Sequence, residues 1–146
     1  MSYICGMKKY EPKENFNSMM VKEEAIPLIY TTRQGISFDY FRQILNYIPI
    51  KLAEWSKFLN LSERTMQRYK KENKRFESIY AEKILEITLL YQAGEEAFGS
   101  KDRFDQWMSI ENTALGGVKP KSLLDSTFGI NLIKDELIRL EHGVIS

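Results

Sequence analysis

The chain has 146 residues, 43% of them hydrophobic and 28% charged, a balance that excludes intrinsic disorder and low-complexity or fibrous chains. A single cysteine (Cys5) excludes an internal disulfide, and with one histidine (His142) no second His or Cys stands at metal-ligand spacing. No apolar run reaches the roughly 18 residues that cross a bilayer, and the opening MSYICGMKKY lacks a signal-peptide core, so a cytoplasmic protein is expected.

In chain order, residues 1–17 mix charge, Pro12 and Asn without a period and predict a mobile arm. Residues 18–34 predict a helix interrupted near Pro27 and stopped by Gly35. Ser37 then caps a helix to Tyr47, with Phe38, Phe41, Ile44, Leu45 and Ile48 on one face and Pro49 after it. Leu52, Trp55, Ser56 and Leu59 form the next helical stripe. Asn60 suits a left-handed turn, and Ser62 caps a further helix that ends between Lys71 and Asn73. Ser78 is expected to cap a longer helix to Gln92, stopped by Gly94. Residues 95–110 predict another, broken near Gly99-Ser100. Residues 112–120, with Gly116-Gly117, form a turn-rich connection; two short helices follow over 122–128 and 131–141, separated by Gly129. The closing HGVIS is a strand or a docking tail. The expected class is all-α: a helix-turn-helix bundle, then a small helical domain with a short C-terminal strand or tail.

Charge is distributed unevenly. Residues 62–75 hold six basic side chains against two acidic ones, whereas residues 76–146 hold seven basic and twelve acidic. A basic island on an otherwise acidic chain suits phosphate binding, although such runs also occur as solvated helix faces. The island coincides with a helix-turn-helix register. That motif needs a small residue in its first helix (Ser56), a left-handed turn residue four positions on (Asn60) and an apolar anchor six further (Met66). In this register Ser62, Glu63, Arg64, Gln67, Arg68 and Lys71 point outward, while Met66 and Tyr69 point to the core. Arginine pairs with the two acceptors of guanine and glutamine with the edge of adenine; Lys70, Lys71 and Lys74 suit phosphates. The DNA-binding candidates are therefore Ser62, Arg64, Gln67, Arg68, Lys70 and Lys71, and the alternative is a helical hairpin with a solvated polar face.

The run Leu59-Asn60-Leu61-Ser62-Glu63-Arg64-Thr65-Met66-Gln67-Arg68, then Trp107, then Glu111 to Leu124 with Gly116-Gly117 and Pro120, Gly129, and finally Leu137 to Val144, resembles the Xre/ParS-type antitoxins. The resemblance spans roughly residues 35–146, and its C-terminal part is the more specific. Asn60 and Ser56 depart from it, since Gly and Ala are usual there. It implies a helix-turn-helix half that dimerises and binds operator DNA, and a C-terminal half that grips a partner toxin carrying a RES domain, an NAD-degrading class. The implied division is residues 1–17 as arm, 18–93 as helix-turn-helix and dimerisation region, and 94–146 as toxin-binding domain. Arg139, Glu141, His142, Gly143, Val144 and Ile145 are the implied plug over the toxin's active site. Read from the residues alone, His142 is first an exposed or capping residue near a helix C-terminus and only second a toxin contact, and a tail with two β-branched residues either completes its own domain or pairs with a partner. No cofactor is expected, and no catalysis: the chain lacks a glycine-rich phosphate loop and a paired metal-ligand motif, and Glu82 and Glu86 stand at surface helical spacing. A stand-alone helix-turn-helix regulator is the competing reading.

Overall fold

The computed structural model describes residues 25–143; the predicted arm, the start of the first predicted helix and Val144, Ile145 and Ser146 lie outside the described residues. Seven α-helices are described: α1 (Ala25–Gln34), α2 (Phe38–Tyr47), α3 (Leu52–Phe58), α4 (Glu63–Glu72), α5 (Ser78–Phe98), α6 (Lys101–Met108) and α7 (Thr127–Glu141). Two 3-10 turns, Thr113–Leu115 and Pro120–Leu123, join α6 to α7. The fold is all-α, a helix-turn-helix bundle followed by a helical C-terminal region, and none of the described helices is long and apolar enough to cross a membrane.

Short polar residues set most helix starts. Ser37, Ser62, Ser100 and Ser126 each accept a hydrogen bond from a backbone amide three residues on, satisfying a donor that has no partner within its helix. Ser78 does not cap α5: Glu77 occupies the cap position and makes no side-chain cap bond. The first half closes around rings, with Phe41 in contact with Trp55 at 5.2 Å and Phe76 at 5.0 Å between centroids, and Tyr69 at 5.1 Å from Phe76. An antiparallel bridge ties the segment before α2 to the segment before α5: Ile36 N donates to Phe76 O at 3.2 Å and Phe76 N to Ile36 O at 2.7 Å. A Cβ on Gly35 would sit 2.2 Å from the Phe76 carbonyl oxygen, so the bridge demands glycine.

Three predicted boundaries move, each because a glycine or a cap serves a different purpose from the one expected. The helix expected to stop at Gln92 runs through Gly94 to Phe98. Gly94 is buried where the Phe104 ring lies against it, 2.3 Å from where a Cβ would be, so it is a packing glycine. Gly99, at φ 83, ends α5 instead, and Ser100 starts α6 at once, so the break expected near Gly99-Ser100 falls there, while residues 95–98 belong to α5 and α6 stops at Met108. Gly129 likewise lies inside the first turn of a continuous α7, because the Leu123 carbonyl crosses 2.0 Å from its missing Cβ. The helix expected over 122–128 is replaced by the 3-10 turn and the Ser126 cap.

Central to the molecule is α5, 21 residues long, with α1, α6 and α7 packed on it. Ala81, Ile84 and Leu85 of its first half are buried in the same core as the rings of the helix-turn-helix. Its second half meets Phe104, which lies 5.0 Å from Tyr91 and 5.9 Å from Trp107.

Candidate DNA-reading helix and partner-binding end

The α3–α4 unit has the expected register. Ser56 is buried and its hydroxyl donates to the Ala53 carbonyl at 2.6 Å, so a small residue fits where α4 crosses. Asn60 takes the left-handed conformation at φ 55, and Leu61 N returns to Ser56 O at 2.9 Å. Met66 is fully buried and Tyr69 nearly so, anchoring one face of α4. Asn73, at φ 48, ends the helix, and its side-chain amide donates to Asp39 Oδ2 at 3.2 Å.

With Met66 and Tyr69 turned inward, Ser62, Arg64, Gln67, Arg68, Lys70 and Lys71 are all exposed on α4. The Ser62 hydroxyl is already engaged, accepting from Thr65 N at 3.0 Å and donating to Thr65 Oγ1 at 2.8 Å, so its task is to hold the helix start. Arg64 and Arg68 flank Thr65 around one open concavity. The Arg68 guanidinium lies 5.9 Å and the Lys74 ammonium 5.0 Å from the Tyr69 ring centroid, which keeps two cations beside the helix's C-terminal half.

After α6, Asn112 accepts from Ala114 N at 2.9 Å and pairs with Val118 across a bridge. Gly116 and Gly117, at φ 82 and 81, give the loop consecutive left-handed residues that side chains disfavour. Beyond it α7 carries the predicted plug. Arg139 is ion-paired with Glu136, Glu141 is exposed, His142 is the exposed cap residue, and Gly143 adopts φ 64; Val144 and Ile145 lie outside the described residues. The described part of the plug is thus the solvent-facing end of a helix. Among the described residues no cluster of His, Cys, Asp or Glu is arranged to hold a metal ion.

Residues 27–88 match the family model described as the antitoxin Xre-like helix-turn-helix domain, and residues 93–143 that of the antitoxin Xre/MbcA/ParS C-terminal toxin-binding domain. A protein of Yersinia enterocolitica named Antitoxin Xre is 30% identical over 120 residues, 82% of this chain and 81% of that protein. The chain belongs to the Xre antitoxin family. A second Antitoxin Xre, from Photorhabdus laumondii, is 27% identical over 114 residues, 77% of each chain.

In this Xre-type antitoxin α5 is shared, since the first match ends and the second begins within it. Two polar clusters with no signature in the sequence tie the halves together. Lys121, before α7, bridges Glu54 of α3 at 3.2 Å and Asp105 of α6 at 3.1 Å, and Asp105 also accepts from the Tyr91 hydroxyl at 2.8 Å. The Tyr47 hydroxyl at the end of α2 donates to Glu95 at 2.6 Å, while the Lys101 ammonium stands 3.9 Å from its ring centroid. Burial first, and then the adjoining carboxylates, push both phenols well above the ordinary tyrosine range. These partners are separated by up to dozens of positions in sequence, so no local pattern announces them.

Proposed function

We propose that this antitoxin neutralises a RES-domain, NAD-degrading toxin in the cytoplasm, covering the toxin's active site with the segment Arg139–Ile145. It also represses its own operon as a homodimer that reads DNA through Arg64, Gln67 and Arg68, with Lys70 and Lys71 on phosphates. In this reading residues 18–93 carry DNA binding and dimerisation and residues 94–146 carry toxin binding, with the arm 1–17 outside both. The observation that carries it is the pairing, in one short chain, of an exposed basic helix-turn-helix face with a toxin-binding domain match. The exposed end of α7 gives the plug a physical basis, because Glu141, His142 and Gly143 contribute nothing to the core and are available to a partner.

The test is co-expression with a RES-domain toxin. Deleting residues 140–146 is expected to abolish rescue of growth and of cellular NAD, while the full chain restores both. Full rescue by the shortened chain overturns the plug. Failure of the full chain to bind or neutralise any RES-domain toxin, with specific operator binding retained, favours the stand-alone regulator.

A further inference from the structure

The roll of α7 about its own axis is fixed from the inside. Ser126 caps the helix, the Leu123 carbonyl presses on Gly129, and Ile130, Ile133 and Leu137 are buried in the core. The Lys83 ammonium of α5 donates to the Asp125 carbonyl at 2.7 Å, which holds the approach to the helix. Rolling α7 to shelter Phe128 would lift Gly129 off Leu123 and turn core residues outward. Phe128 therefore stands 85% exposed, and Leu132, one turn on, 52% exposed. Apolar residues scattered singly on a surface are ordinary. A bare aromatic ring next to a second large apolar side chain, both on a helix that cannot roll, has the form of a binding anchor.

Position and continuity say what covers this pair. Phe128, Leu132, Asp135, Arg139 and His142 alternate spacings of four and three, so they form one exposed stripe along the outside of α7. At ~1.5 Å per residue the stripe runs about 21 Å. Its C-terminal end, Arg139 and His142, belongs to the proposed plug, and its N-terminal end is the apolar pair. The whole stripe lies within residues 93–143, the span that matches the toxin-binding domain, whereas the exposed Ile29 and Ile79 lie outside that span. A toxin engaged by the plug and lying along α7 thus meets Phe128 and Leu132. The surface fits a partner with an apolar pocket for the ring and a polar rim facing Asp135 and Arg139.

We propose that Phe128, backed by Leu132, is the anchor by which the antitoxin holds its toxin, separate from the segment that covers the active site. The proposal rests on the reading that the C-terminal half binds a RES-domain toxin, and it divides the work there: the stripe supplies affinity and the tail supplies inhibition. Because α7 is already ordered, the ring is buried on association at little further cost in helix freedom. The test uses the full chain with a RES-domain toxin, reading affinity by calorimetry and NAD hydrolysis in parallel, with thermal melts to verify folding. Phe128→Asp is expected to weaken toxin binding by about a hundredfold and Phe128→Leu by about tenfold or less, with the melting temperature unchanged. Deleting residues 140–146 is expected to leave the toxin bound but active. If the shortened chain binds and also inhibits, the plug falls and the anchor stands. Affinity unchanged by Phe128→Asp overturns the anchor and leaves the toxin reading in place, whereas a full chain that binds no RES-domain toxin overturns both. Loss of all binding on deleting residues 140–146 also overturns the anchor, because the tail alone then holds the toxin. So does a Phe128→Asp chain that loses self-association in sedimentation velocity yet keeps its toxin affinity, since a second copy then covers this face.

Discussion

Gly94 shows how one atom sets a helix's length and the packing of its neighbour. It lies within α5 where helix propensity favours alanine by about 1 kcal/mol, yet the ring of Phe104 occupies the space a Cβ would need. Because that ring also touches Tyr91, Phe98 and Trp107, it has no free direction in which to retreat. Gly94→Ala is therefore expected to destabilise the fold by about 3 kcal/mol, at the upper end of overpacking costs, despite the better propensity. Chemical denaturation reads this directly; an unchanged or raised midpoint would mean that α6 is free to shift away from α5. Asn60 is the opposite case, a residue whose side chain is exposed and whose backbone carries the constraint. Its left-handed conformation was legible in the sequence because asparagine is among the few side chains that tolerate it.

At the scale of elements, the helices whose ends are written in local chemistry were legible and those defined by distant packing were not. Ser37, Ser62 and Asn73 sit within a few residues of the backbone groups they satisfy or the turns they close, so α2 and α4 emerged with nearly their true bounds. Gly94 and Gly129 resemble stops in sequence and serve as close-packing positions in space, against Phe104 and Leu123 respectively. The candidate reading face was legible for the first reason: burial of Met66 and Tyr69 forces Arg64, Gln67 and Arg68 outward. The Lys121 cluster depends on three or more elements meeting, and no periodicity encodes that. For α4 the expected outcome is a division of labour. Arg64→Ala with Arg68→Ala should cost about 1–3 kcal/mol for each bidentate pairing with a base that is removed, and should relax sequence preference. Lys70→Ala with Lys71→Ala should weaken all sequences alike and lower the salt slope by roughly one for each phosphate no longer neutralised. Anisotropy titrations on operator and scrambled duplexes at several salt concentrations separate the two, and identical behaviour of both pairs would remove the proposed register.

Across the whole molecule, polar bridges hold the helix-turn-helix half and the C-terminal half in one arrangement, and buried phenols, one of them in a bridge, give the fold a pH limit. Tyr91 is fully buried and donates to Asp105, in the cluster through which Lys121 reaches Glu54 of the helix-turn-helix. Tyr40 is 3% exposed, and burial alone raises its phenol. In the folded protein both ionise far above the ordinary value of 10.0. The unfolded chain therefore gives up these protons at a lower pH than the folded one. Below about pH 10 the two states hold the same phenolic protons and the associated stability is fully present. Above it the folded state binds more protons, and stability falls by up to about 1.4 kcal/mol per pH unit for each such phenol. Melting temperature should accordingly be level with respect to these groups through neutral pH and drop steeply beyond about 10. Tyr91→Phe should lower stability at neutral pH, since Asp105 loses a donor and retains Lys121, but it should also flatten the alkaline fall by one phenol's share. The difference between the two melting profiles isolates the share of Tyr91. Parallel profiles across roughly pH 9–12 would mean that its hydroxyl reaches solvent before the halves separate.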